Sequence, residues 1–191
     1  MMRPRHPAAP IGVALRHARR VRGMKQAHAA ECLDVTQPII SRIERGEFEP
    51  SGRLRAQILD LVTARLDPAR DTGLRRLVEH AQLPVHLICD ITHRLLAASS
   101  AREREWQRSF SELRGCSLWP YASEAIQLAE ARLSGLGWGE HDGSHTLTFV
   151  TTENRSTELR IAPGALTWDR VILADGAPAR IVTRHVGSGA G

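Results

Sequence analysis

In the stretch Gln26–Glu44, QAHAAECLDVTQPIISRIE, and the arginine that follows, Gln37, Pro38, Ser41, Arg42 and Arg45 occupy the helix side that apolar residues leave free. Amide, hydroxyl and guanidinium groups of this kind match base edges and phosphate oxygens. The elements that must present them follow from apolar spacing. Ile40 and Ile43 stand one helical turn apart, Leu33 and Val35 bracket a turn before them, and Ala29 and Ala30 are small enough for two helices to cross closely. Thr36 takes the N-cap position, where its hydroxyl is expected to accept a backbone N–H of the following helix. Pro38, in the first turn of that helix, lacks an N–H that would have had no partner there.

Charge is concentrated around this stretch. Residues 1–70 hold 13 Lys+Arg against 7 Asp+Glu, and residues 71–191 hold 13 against 14. The basic surplus therefore lies with the helices, as expected of a segment that displaces counterions from a polyanion. Lys25 is the only lysine, so chemistry that needs a lysine elsewhere is excluded. No apolar run reaches the roughly 18 residues of a membrane helix, and no apolar h-region follows the N-terminal MMRPRHPAAP. Cys32, Cys89 and Cys116 have no ligand spacing and make a disulfide framework unexpected. A cytoplasmic location is the corresponding expectation.

Around the central stretch, residues 11–22 read as a first amphipathic helix, with Ile11, Leu15 and Ala18 in register and Gly23 as a left-handed stop. Gly46 ends the helix after Thr36. Pro50-Ser51 opens another helix over about 52–66, and a fifth is expected over 72–81. This order, with Leu15-Arg16, Arg19, Gly23, Gln26, Ala30, Leu33, Val35, Thr36, Ile40, Ser41, Ile43, Glu44, Gly46 and Pro50-Ser51, resembles the lambda-repressor/Cro-type helix-turn-helix domain of the xenobiotic-response-element family. The resemblance covers about residues 11–66. Asp34 stands where that family usually has a turn glycine, and Asp tolerates the left-handed conformation better than most residues.

The resemblance implies roles. Gln26 would bond a phosphate, Gln37, Pro38 and Arg42 would face the major groove, and Ser41 and Arg45 would touch the backbone. Arg42 matches guanine O6 and N7, and Gln37 matches adenine. Thr36 completes the DNA-facing set. Ile39 is either simply exposed or set to meet a thymine methyl. Arg19 and Glu44 stand where the family pairs an arginine with a glutamate, so the resemblance makes them a structural clamp.

From residue 84 the pattern changes. PVHLICDI and RLLAAS read as strands around a polar turn at Asp90–His93, followed by helices over 100–110 and 123–133. HTLTFVTT (145–152), STELRIAP (156–163), TWDRVIL (167–173) and ARIVTRHV (179–186) read as further strands, with turn signals at Asn154-Arg155 and Asp175-Gly176. Asp90, Arg94-Leu95-Leu96 and the run Leu113-Arg114-Gly115-Cys116-Ser117-Leu118-Trp119 make this half resemble a PAS sensor domain. Ser99-Ser100 replace the family's usual asparagine. The expected fold is thus an all-α helix-turn-helix bundle (11–66) followed by an α+β PAS-like domain with an antiparallel sheet (84–186). A flexible basic arm (1–10), a linker helix (67–83) and a flexible tail (187–191) complete the chain.

Enzymatic readings fail on missing residues. A Ser/Lys self-cleaving domain needs a lysine this half lacks. His141 and His145 lie in HDGSH without the further ligands a closed metal site requires, and Cys116 lacks the Asn-Cys-Arg context of a photoactive flavin domain. Cys116 is expected to be a small core residue. No catalytic set, metal or cofactor is expected. Trp106, Trp119, Tyr121 and Trp138, with Trp168, are candidates to line a ligand pocket. The expected function is a DNA-binding transcription regulator, a repressor, acting on a palindromic double-stranded operator as a homodimer. A small-molecule effector or protein partner would act through the C-terminal half. The alternative is an antitoxin-like module whose C-terminal half neutralises a partner and whose DNA binding is autoregulatory.

Overall fold

The computed structural model describes residues 11–138, 145–154 and 156–185. The expected arm and tail, His141 and Arg155 lie outside these residues. Five helices come first: α1 (Ile11–Val21), α2 (Gln26–Leu33), α3 (Gln37–Glu44), α4 (Gly52–Val62) and α5 (Thr72–Glu79). Strands β1 (Val85–Cys89) and β2 (Leu95–Ala98) follow. Then come α6 (Ser100–Trp106), α7 (Phe110–Leu113) and α8 (Glu124–Arg132), and finally β3 (Thr146–Thr151), β4 (Gly164–Ile172) and β5 (Pro178–His185).

The first three helices end by one device. After α1, Met24 N–H bonds Arg19 O and Gly23 N–H bonds Arg20 O. The same pair of bonds joins Val35 to Ala30 and Asp34 to Glu31 after α2, and Glu47 to Arg42 and Gly46 to Ile43 after α3. Each requires a left-handed residue, with φ of 62° at Gly23, 54° at Asp34 and 74° at Gly46. Asp34 thus serves as the turn residue where the resembled family has glycine. Leu15, Ala29, Ala30, Leu33, Ile40, Ile43, Ile58 and Val62 form the buried core of this bundle.

Gly12 is a residue whose importance the apolar pattern hides. A Cβ there would lie 1.9 Å from the Ile43 carbonyl oxygen, so α1 crosses the end of α3 at backbone contact. Gly12→Ala is expected to destabilise the protein by about 1–3 kcal/mol, because the obstacle is backbone and cannot rotate away. Denaturant unfolding of Gly12→Ala beside Gly73→Ala, where nothing lies within 4 Å, checks this; equal stabilities would refute the close crossing.

α4 stops at Val62 instead of 66. Thr63 is extended, its hydroxyl donates to Leu59 O at 2.6 Å, and Ala64 N–H turns to Cys89 Sγ at 3.3 Å. Within 67–83 only Thr72–Glu79 is helical, and it lies on the sheet, with Val78 and Leu74 against Val85, Leu87, Cys89 and Ala97.

The sheet is antiparallel throughout, in the order β2-β1-β5-β4-β3. β1 is buried at every position because α5 covers one face and the α6–α8 side covers the other. β3 alternates exposed and half-buried residues, as a strand with one wet face does. β4 and β5 join through Ala174-Asp175-Gly176, where Gly176 has φ 78° and Leu173 N–H bonds Ala177 O at 3.0 Å.

Several expectations need correction. Residues 156–163 form no strand. Asn154 bonds Tyr121 O, Leu159 O and Ile161 N–H with its own amide, and Leu159 plugs the core. That side chain satisfies backbone groups a ladder would otherwise have used. The helix expected over 100–110 stops at Trp106, since Gln107 turns left-handed and Ser109 starts α7 with a capping box. Cys116 is exposed, because Gly115 at φ 72° turns the chain before it; Cys89 is the buried thiol. Ser99 caps α6, accepting from Arg102 N–H at 3.1 Å while its hydroxyl donates to Leu83 O, so the missing asparagine leaves no uncapped end.

Candidate functional site

The α2–turn–α3 unit presents Thr36, Gln37, Pro38, Arg42 and Arg45 as exposed residues, with Ser41 and Gln26 half-buried beside them. Thr36 occupies the N-cap, yet its hydroxyl makes no cap bond. Pro38 has no N–H to give, and Ile39 N–H is taken by the Thr36 carbonyl at 3.0 Å. Both donors that a cap side chain serves are therefore spent, which leaves the hydroxyl outward. Ile39 is half-buried against the bundle core.

Behind this surface lies a buried carboxylate. Arg19 donates from Nε and NH2 to the two oxygens of Glu44 at 2.7 and 3.0 Å, and its third nitrogen donates to Met24 O at 2.8 Å. Arg16 donates to Glu44 O at 3.0 Å. Burial pushes the Glu44 carboxyl up, but bonds from Arg19 and Gln26 and the charges of Arg19 and Arg16 outweigh it and hold the pKa below the ordinary value. Gln26 Nε2 donates to Glu44 Oε2 at 2.9 Å, and Gln26 Oε1 accepts from Gln37 Nε2 at 2.7 Å. The amide proposed to contact a phosphate is thus the link between the clamp and Gln37.

Arg45 donates to Glu47 at 2.6 and 2.8 Å and to Ser41 Oγ at 2.6 Å. Arg42 has its guanidinium 5.8 Å from the Phe48 ring, a neighbour that spacing did not single out. Arg42 thus has no hydrogen bond among the described residues, whereas Arg45 is held by a carboxylate.

The second half holds a partly open cavity of about 70 Å3. Trp106, Trp119 and Trp168 line it; Tyr121 and Trp138 do not. Tyr121 points its hydroxyl to Glu158 Oε2 at 3.0 Å, and Trp138 Nε1 donates to Asp90 Oδ2 at 3.0 Å beside α1. Those bonds draw both rings away from the cavity. What aromatic spacing missed are its charged members, His86, Arg102, Glu130, Arg180 and Arg184.

Arg180 is the centre of a buried network. It donates to Asp90 Oδ1 at 2.8 Å and to Glu130 Oε2 at 2.6 Å, with its guanidinium 4.3 Å from the Trp168 ring and 5.2 Å from Trp138. His93 Nε2 lies 3.4 Å from Glu130 Oε1, and Arg170 Nε lies 3.8 Å from Asp90 Oδ2. Next to the network α1 meets the C-terminal half: Arg22 pairs with Asp175 at 2.9 Å, and Val21 packs on Gly176. The helix whose Arg16 and Arg19 grip Glu44, α1, thus also touches the β4–β5 turn.

Among the described residues no group of three or more His, Cys, Asp or Glu side chains is placed to hold a metal, and no helix is long and apolar enough to cross a membrane. His145 is exposed.

No family profile and no curated protein matches the sequence. Among solved structures, the chain is similar to the PAS domain of an HTR-like protein from Haloarcula marismortui, at 14% identity and a TM-score of 0.44, over 60% of this chain and 89% of that one. It is similar to a PAS domain from a two-component sensor histidine kinase at 17% identity and a TM-score of 0.41, over 60% of this chain and 93% of that one. An RNA-binding light-oxygen-voltage receptor matches at 13% identity and a TM-score of 0.43, covering 94% of this chain and 59% of the receptor. PAS domains are among the solved structures to which this chain is similar.

Proposed function

We propose that this protein is a sequence-specific regulator of transcription that reads double-stranded DNA through α3 and takes its input through the C-terminal half. The observation that supports it is the combination of an exposed Gln37–Pro38–Arg42 face with a bidentate Arg19–Glu44 pair directly beneath it. A helix that reads base edges must be held rigidly, since misplaced donors lose the wrong-base discrimination of about 1–3 kcal/mol per bidentate contact. A repressor acting as a homodimer would place two α3 helices about 34 Å apart on successive major-groove faces of a palindromic operator. The C-terminal half would then supply dimerisation, an effector response or both. An effector changes DNA affinity only by binding the competent arrangement differently from the other.

Selection of bound duplexes from a random pool, with an RNA pool as competitor, tests this reading on the full chain. Enrichment of a near-palindromic sequence is expected. Retention of RNA in preference to duplex, or binding without any enriched sequence, refutes it. Arg42→Ala should relax the selected sequence at one or two positions while leaving the melting temperature nearly unchanged, because among the described residues the exposed guanidinium meets the Phe48 ring and the charge of exposed Glu47. A matched fall in melting temperature would count against base reading by Arg42.

A further inference from the structure

The cavity beneath the sheet has one end that is chemically incomplete. Arg102, only 3% exposed, donates to Pro84 O at 2.6 Å and to Glu105 Oε2 at 3.2 Å. Its Nε has no hydrogen-bond partner among the described residues. Arg184 reaches the same Glu105 oxygen at 3.5 Å and Pro163 O at 3.2 Å, and its Nε is likewise unpartnered. His86, 8% exposed on β1, packs its ring 4.9 Å from Trp106 and leaves Nδ1 without a partner. All three residues line the cavity.

Two guanidinium groups here share one carboxylate, whose Oε1 is itself without a hydrogen-bond partner among the described residues, and this leaves one positive charge in excess in a largely buried site. Arg180, further along the wall, is different: Asp90 and Glu130 already neutralise it. Buried charge and buried N–H groups are costly until an acceptor meets them. Burial and the nearby Arg102 charge hold the His86 pKa well below its ordinary value, so the imidazole is neutral and adds no second excess charge. The rest of the wall is hydrocarbon, from Ile88, Leu118, Leu159, Leu166 and Val182.

We propose that this cavity binds a small organic monocarboxylate, its carboxylate held by Arg102, Arg184 and His86 and its apolar body lying against the hydrocarbon wall. One excess charge calls for a monoanion. A volume of about 70 Å3 suits a short aliphatic chain, since about 150 Å3 is what takes a benzene ring. Guanidinium N–H groups match carboxylate oxygens in plane and spacing. A neutral amide of the same shape would leave the excess positive charge unmatched. This assignment deepens the input role given to the C-terminal half and rests on it for its regulatory meaning.

Calorimetric titration of the full chain with isobutyrate and propionate, each beside its amide, tests the proposal without DNA, so it can fail independently of DNA reading. Saturable binding of at least one acid is expected, with its amide weaker by about tenfold or more, the loss of a charge-assisted hydrogen bond. Arg184→Gln should weaken the acid by a similar factor; if that variant melts early, His86→Gln reads the same contact. Acid and amide binding alike, no binding of either acid at millimolar concentration, or unchanged affinity in a folded variant would overturn it.

Discussion

Arg180→Leu is expected to cost about 3–5 kcal/mol of folding stability, the range for removing one member of a buried ionic group. Arg180 is 1% exposed and is the shared donor of Asp90 and Glu130, so its loss takes the nearest cation from both carboxylates and leaves Arg170 3.8 Å from Asp90 and His93 3.4 Å from Glu130. Leucine fills part of the space against Trp168 but supplies no donor. Denaturant unfolding at neutral pH measures the loss, and a change below 1 kcal/mol, the worth of an exposed pair, would sink the network as a stabilising element.

The pH dependence gives a second reading of the same group. Burial pushes the Glu130 carboxyl up, but the His93 hydrogen bond and the Arg180 guanidinium dominate and hold it at about 2, against an ordinary 4.5. Its folded-state value is therefore depressed. Its contribution is fully present above 4.5 and is lost as pH falls toward 2, a difference of about 3 kcal/mol across that interval. In Arg180→Leu, Glu130 should take up its proton at higher pH, so the gap between native and variant narrows as the solution is acidified. A gap constant from pH 7 to 3 would contradict that linkage.

Glu44→Ala should lower stability by about 3 kcal/mol and weaken binding to every duplex alike. The Glu44 side chain is 1% exposed and receives Arg19 bidentately, so alanine leaves a guanidinium mostly buried and unpaired. Because the folded Glu44 pKa is depressed, this contribution also fades as pH falls through the carboxylate range. Replacing both partners, as Arg19→Met with Glu44→Met, should recover a large part of the stability, since no orphaned charge remains. Binding would recover less, because Gln26 loses its anchor and Gln37 in turn loses Gln26. A fully stable Glu44→Ala protein would refute the clamp. The contrast with Arg42→Ala separates scaffold from reader: one variant loses melting temperature, the other only sequence preference.

Much of the helical half was legible because its determinants are local. Apolar spacing at Leu15, Ala18, Ile40 and Ile43, and turn residues at Gly23, Asp34 and Gly46, act within a few residues of chain. The two-strand, helix and strand order of the second half was legible for the same reason, since β1 announces its two-sided burial by an apolar run interrupted by His86. The charged end of the cavity was not. His86, Arg102, Glu105 and Arg184 come from β1, α6 and β5, far apart in sequence, and single polar residues carry no period that would link them. The segment 156–163 misled because strand-like alternation cannot show whether a neighbouring strand is available; Asn154 took the backbone bonds instead.

The same division applies to the stretch from Gln26 to Arg45. Sequence by itself determined that two helices and a turn form there and that Gln37, Pro38 and Arg42 lie on the free face. Tertiary structure alone decided that Gln26 joins Glu44 to Gln37, that Gly12 must be glycine, and that α1 meets the β4–β5 turn through Arg22 and Asp175. Helix periodicity is a property of neighbours along the chain, whereas a salt bridge or a backbone crossing exists only once distant segments have packed.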